Sequence, residues 1–204
     1  MGRKIKKEIN AYGIKVLLSP HPAIRSLKRD FKPNSHGNRF WWSSWLLMDY
    51  FKRTGLKQGS RILEVGCGWG LASIYCAKTH KALVTGADID RNVLPYAMLH
   101  AEINGVDVNF IPKGFESFTK KDLDGFDVIL GADICFWENM TMPLKNLIKR
   151  AQKAGVKEVL ISDPIRSPFE ELCNYFSNRG EGEVLDWTAV EPREILGQIL
   201  RISL

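Results

Sequence analysis

The stretch Arg61-Ile-Leu-Glu-Val-Gly-Cys-Gly-Trp-Gly70, with Asp88 downstream, decides the fold. Arg61 to Val65 is a short apolar run of the kind that makes a buried strand, and a cluster of alternating glycines stops it. Leu71, Ile74 and Tyr75 then share one helix face. Glycines at a strand-to-helix turn let the backbone approach a ligand closely, and a carboxylate ending the next strand, Asp88, can hold both ribose hydroxyls. The dinucleotide fingerprint wants glycine at its first, third and sixth positions, but here the sixth, counted from Gly66, is Leu71. An acidic residue, Glu64, also stands two before the first glycine. A pyrophosphate prefers a bare helix N-terminus, so this turn suits a ligand with cationic groups.

S-adenosylmethionine carries an ammonium, a sulfonium, a ribose diol and no phosphate. Its cationic groups suit Glu64 and the carbonyl-rich turn, and its diol suits Asp88. No metal is needed by such a constellation. A dehydrogenase is disfavoured by the same glycine spacing.

Outward from this turn, strand and helix signals alternate. Ala82 to Ala87 reads as a second strand, and Leu94, Ala97, Met98 and Ala101 mark a helix closed by Asn104-Gly105. Val106 to Ile111 and Phe126 to Leu130 are the third and fourth strands. Leu144, Leu147, Ile148 and Ala151 mark a helix before the strand Glu158 to Ile161. Ser167-Pro-Phe-Glu170 reads as a capping box opening another helix. Val184 to Trp187 and Gln198 to Ile202 follow with no helix between them, which implies antiparallel closure. The expected fold is α/β, a doubly wound seven-stranded sheet, mostly parallel with an antiparallel closing strand. Before residue 60, Ile9 to Leu18 reads as a hairpin, Asp30 to Asn38 as a loop, and Leu47, Tyr50 and Phe51 share a helix face.

With 204 residues, 45% hydrophobic and 25% charged, the chain fits one globular domain and excludes a disordered, collagen-like or coiled-coil protein. Cys67, Cys76, Cys135 and Cys173 form no CxxC pair, so a reducing, cytoplasmic compartment is expected. No apolar run approaches the roughly 18 residues of a membrane span, and no signal peptide is read at the N-terminus. The net charge of +6 divides into +10 over residues 1–60 and −4 over the remainder. Arg3, Lys4, Lys6 and Lys7 make a solvated tail or meet an acidic partner. The cofactor motifs begin only at Trp41, so the segment before residue 38 is expected to serve the substrate more than the cofactor.

Over roughly residues 38 to 204 the sequence resembles the class I, seven-β-strand methyltransferases. Within them it is similar to the lysine methyltransferase group that includes the enzyme acting on the electron-transfer flavoprotein β-subunit and the bacterial predicted nicotinamide N-methylases. The resemblance rests on Trp41 with Trp42-Ser-Ser-Trp-Leu-Leu-Met-Asp-Tyr-Phe51, on Ile62 to Gly70, and on Gly86-Ala-Asp-Ile-Asp90 with Asn104-Gly-Val106. It rests also on Phe126 to Phe136 and on Leu160-Ile-Ser-Asp-Pro-Ile-Arg166. It implies a Rossmann-like methyltransferase domain over 41–204, preceded by a basic extension with a hairpin and loop over 1–40. Glu64, Gly66, Gly68 and Gly70 match the cofactor cradle, Asp88 the ribose carboxylate, and Trp41 a residue closing the cofactor pocket. Asp133-Ile-Cys-Phe136 stands at the family's Asp-x-x-Tyr signature, so Asp133 and Phe136 are the catalytic candidates, with Asp133 also beside the transferable methyl. Phe136 replaces the usual tyrosine, and Pro112-Lys-Gly-Phe115 lacks the carboxylate or polar group usual near the adenine.

The expected activity is N-methylation of a lysine side chain on a protein substrate. A lysine amine, with a reference pKa of about 10.4, must lose its proton before it can attack, and Asp133 would orient it while Phe136 and Trp137 exclude water. Methylation of a small amine such as nicotinamide is one alternative. Methylation of nucleic acid is another, invited by the basic N-terminus but lacking the Asn/Asp-Pro-Pro-aromatic box at Asp133 to Phe136. A non-catalytic cofactor-binding protein would be expected to lose the glycines or Asp133, and neither is lost.

Overall fold

The computed structural model describes residues 6–34 and 36–203. Arg3 and Lys4 of the basic tail lie outside the described residues. Strands β1 (Glu8–Ala11) and β2 (Ile14–Leu17) form an antiparallel hairpin, its Tyr12-Gly13 turn at φ 49° and 74°. Positive φ at both central residues matches the right-handed twist of the flanking strands. Helix α1 (Pro22–Asp30) follows, with Pro22 in its first turn and the His21 ring accepting from Ala23 N at 3.2 Å. No apolar period announces α1 because Ile24 is its one buried residue. Helix α2 (Ser43–Thr54) is buried from Ser43 to Phe51 and stops at Gly55.

From residue 61 the chain builds a seven-stranded sheet: β3 (Arg61–Val65), β4 (Leu83–Asp88), β5 (Asn109–Pro112), β6 (Val128–Ala132), β7 (Glu158–Asp163), β8 (Glu183–Ala189) and β9 (Ile195–Ser203). Their order is β5-β4-β3-β6-β7-β9-β8, and β9 alone runs against the rest. The Rossmann-like doubly wound fold is thus as expected, with an antiparallel closing strand. Helices α3 (Leu71–His80), α4 (Leu94–Asn104), α5 (Lys120–Leu123), α6 (Glu138–Ala154) and α7 (Ser167–Ser177) cover it. Successive strand residues feed opposite layers. Ile62 and Leu130 pack with α2, α3, α4 and the hairpin, whereas Leu63 and Ile129 pack with α6 and α7.

Two local readings are corrected. Ser167 and Pro168 are the first helical residues of α7, Arg166 occupies the cap, and no side-chain cap bond forms. The third strand starts at Asn109, since Val106 only completes the turn after α4 through its N–H to Ala101 O. The hairpin is fastened to the rest of the molecule. The Tyr12 hydroxyl donates to Asp49 Oδ2 of α2 at 2.7 Å and accepts the N–H groups of Val190 and Glu191. Strand order reverses between β3 and β6, which opens a crevice at the carboxyl ends of the strands.

Candidate active site

That crevice is a cleft of about 480 Å³, within the size range of small-molecule sites. Its floor is the glycine turn. Gly68 has φ +51°, a Cβ there would meet nothing within 4 Å, and its N–H donates to Asp88 Oδ2 at 2.9 Å. The bare backbone therefore faces the cleft directly. Asp88 Oδ1 accepts from Asp90 N at 2.9 Å, and each carboxylate oxygen keeps a lone pair for a further donor. Burial pushes the Asp88 carboxyl up, opposed by those N–H groups.

Of the residues expected to hold the cofactor, Trp41, Gly66, Gly68, Asp88 and Asp133 line the cleft, and so does Phe136. Glu64 and Gly70 do not. The Glu64 carboxylate is buried beneath the turn, where Oε2 accepts from Ser73 N at 2.8 Å and Ser73 Oγ at 2.5 Å. It joins β3 to α3, and burial raises its pKa to about 7. Gly70 serves packing: a Cβ would stand 2.8 Å from the Phe110 ring. The resemblance places both in the cofactor motif; neither side chain position lines the cleft itself.

Several cleft residues had not been singled out. Asn34, His36 and Gly37 form one wall, so the segment before residue 38 belongs to this site. Asn34 N donates to Asp90 Oδ2 at 2.7 Å, Trp69 Nε1 to Gly37 O at 3.0 Å, and Trp41 Nε1 to His36 O at 2.7 Å. Trp69, stacked on Tyr96 and His100 behind the turn, fixes this wall from below. On the opposite wall a 3₁₀ turn, Phe115–Ser117, brings in Glu116 beside Lys113 and Gly114. A carboxylate thus does stand near the end of β5, one residue beyond the Pro112 to Phe115 stretch. Ile89, 75% exposed, also lines the cleft and is legible in sequence only as the residue after Asp88.

The other end of the cleft is aromatic and acidic. Phe136 stacks on His36 with ring centroids 4.5 Å apart, and Trp137, half exposed, meets both edge-on. Asp133, buried at φ 62°, accepts from Ser43 Oγ at 2.7 Å through Oδ2 and pairs with Arg166 through Oδ1. Arg166 Nη1 also reaches Asp163 Oδ2 at 2.9 Å. Asp163 does not line the cleft; it anchors Arg166. Burial pushes the Asp163 carboxyl up to about 6, with Arg166 opposing and Asp133 adding to the rise. Cys67 and Cys135 sit in the same loops, but burial raises both thiols, Cys135 to about 11, so neither offers a ready thiolate.

Residues 62–155 match the family model described as "Methyltransferase domain". A phosphoethanolamine N-methyltransferase 1 of Triticum aestivum is 32% identical over 137 residues, 65% of this chain and 27% of that protein. This chain therefore spans about a quarter of its relative's length. Among solved structures, human methyltransferase 10 domain containing protein superposes with TM-score 0.61 at 14% identity, over 89% of this chain and 96% of that one. The plantazolicin methyltransferase BpumL, in complex with SAH, gives 0.57 at 18% identity over 89% and 90%. At such identities these two bear on the fold alone. Residues 62–155, which carry the glycine turn, thus match a methyltransferase domain, and the whole chain has the Rossmann-like fold of its structural neighbours. Among the described residues, no helix is long and apolar enough to cross a membrane.

Proposed function

We propose that the protein N-methylates a lysine side chain of a protein substrate, with S-adenosylmethionine bound across the cleft. The residues present fit that cofactor. Gly68 offers unobstructed backbone, Asp88 offers acceptors for a diol, and Glu116 offers a carboxylate on the wall beyond β5. When bound, the cofactor supplies an electrophilic methyl on a sulfonium. Trp41 and His36 wall off its pocket, and Asp133 stands where the cleft turns acidic.

The observation supporting an amine acceptor is the environment of Asp133. Two buried carboxylates, Asp133 and Asp163, face one guanidinium beside the aromatic wall of Trp41, Phe136 and Trp137. A net negative, partly dry site favours a cationic side chain with an apolar stem. Asp133 would orient the amine, while the aromatic wall lowers local polarity and eases loss of its proton. The cofactor, held at Gly68 and Asp88, would supply its methyl group to the nitrogen that Asp133 orients.

A second reading, nucleic acid, draws on Arg25, Arg29, Lys32 and Arg39, all exposed and near in sequence to the wall residues Asn34, His36 and Gly37. A small amine is the third. Incubation with radiolabelled S-adenosylmethionine and cell extract, split by protease and nuclease treatment, separates them. Protease-sensitive label is expected; nuclease-sensitive label would replace lysine by nucleic acid, and label only in the low-mass fraction would favour the small amine.

A further inference from the structure

The acidic end of the cleft is built with unusual backbone. Asp133 and Ile165, following adjacent parallel strands, both adopt left-handed conformations, at φ 62° and 70°. For a β-branched residue this is a rare state, and it persists only where the surroundings over-determine it. Here Ile165 turns the chain back so that Arg166 N donates to Asp163 Oδ1 at 2.8 Å while its Nη1 lies 2.9 Å from Oδ2. The turn at Asp133 carries its carboxylate onto the same guanidinium. Among the described residues Arg166 is the one cation paired with either acid. It does not line the cleft; it touches the lining through Asp133 and through the Trp41 ring, whose centroid lies 5.9 Å from its guanidinium carbon, and only Asp133 carries charge there.

Charge arithmetic gives this arrangement a purpose. With no counter-ion, two ionised carboxylates would hold an ammonium firmly and keep it protonated. With two counter-ions the site would hold no cation at all. One guanidinium, charged at any working pH, leaves one uncompensated negative charge. We propose that Arg166 is a positioning residue that sets the charge at the methyl-acceptor end, so that Asp133 orients a cationic amine yet lets it release its proton. This rests on the amine-acceptor reading above and names the residue that tunes it.

The probe is sinefungin, which carries an amine in place of the sulfonium methyl, compared with S-adenosylhomocysteine, which carries nothing there. Calorimetry at pH 7.5 should show Arg166→Gln shifting the affinity ratio toward sinefungin by roughly tenfold, with S-adenosylhomocysteine affinity within about twofold of wild type. Arg166→Lys should restore the wild-type ratio. Asp133→Asn should move the ratio the other way, and this arm stands even if Arg166→Gln does not fold. An unmoved ratio in a folded Arg166→Gln protein that still binds S-adenosylhomocysteine overturns the role of Arg166 alone, and an unmoved ratio in Asp133→Asn overturns it together with the orienting role of Asp133. Failure of the wild type to bind either compound overturns the methyltransferase reading and this proposal together. Nuclease-sensitive label with an intact ratio shift would instead remove only lysine as the acceptor.

Discussion

The backbone N–H of Leu17 donates to Nε2 of His100 at 3.1 Å, tying the N-terminal hairpin to α4 through a fully buried ring. The other ring nitrogen, Nδ1, lies 2.7 Å from the Tyr96 carbonyl. A carbonyl only accepts, so Nδ1 carries the proton and His100 is neutral with Nε2 as acceptor. Burial holds its pKa below the ordinary 6.5. The unfolded chain takes up a proton near 6.5 and the folded chain resists, so this contribution is full above 6.5 and is lost as pH falls through the folded value. His100→Ala should cost roughly 1–3 kcal/mol at pH 7.5, and the gap to wild type should narrow at pH 5.5. Urea unfolding of both proteins across that range checks it; a constant gap would mean the ring does not titrate with folding.

Glu64 carries the opposite sign. Its folded pKa, raised to about 7 by burial, makes its contribution greatest below the ordinary 4.5 and lost as pH rises through 7. Glu64→Gln cannot ionise, so relative to wild type it should gain about 2–3 kcal/mol between pH 4.5 and pH 8. Parallel unfolding curves with no such divergence would show that Glu64 is solvated or paired in the folded state.

Asp88→Ala removes the carboxylate at the cleft floor and the acceptor that orients Gly68 N. Affinity for S-adenosylhomocysteine should fall by roughly 1.5–3 kcal/mol, the range for a charged hydrogen-bond partner. Calorimetry on the folded variant decides it, an unchanged dissociation constant removing Asp88 from the ribose site. The wild-type signal should persist in the presence of a chelator.

Asp133→Asn keeps shape and one acceptor but discards the charge facing Arg166. Label transfer to protein should slow by about 10²-fold at saturating cofactor, with affinity for uncharged S-adenosylhomocysteine little changed. Ser43→Ala removes only the donor to Oδ2 and should cost about 0.5–1.5 kcal/mol of stability with a milder loss of rate. Measuring rate and melting temperature on the same preparations tells a reacting site from a tied-down loop. Full turnover in Asp133→Asn would leave Asp133 with the structural role alone.

Local signals were legible wherever one element explains itself. The glycine turn after Val65, the offset to Asp88, and the alternation of apolar strands and helices all arise from neighbours within a turn or a strand. These suffice for the sheet, its closing strand and the cofactor end of the cleft. Helix α1 stayed hidden because one buried residue cannot make a period. That the Glu64 carboxylate turns inward to Ser73 is not legible, because a motif reports position along the chain and says nothing of the face a side chain takes.

The sequence by itself determined the class of fold and the glycine turn that floors the cleft, because backbone conformation at glycine and the period of apolar residues are properties of short segments. Only the tertiary structure decided how the end of the cleft at Asp133 is charged. Asp133, Asp163 and Arg166 meet because β6 pairs in register with β7 and two left-handed residues turn their chains toward one guanidinium. It also decided that Asn34, His36 and Gly37 wall the cleft, since Asp90 holds Asn34 and Trp69 holds Gly37 from elements far along the chain. Such contacts depend on which elements become neighbours, and that follows from burying the whole core at once rather than from any single stretch.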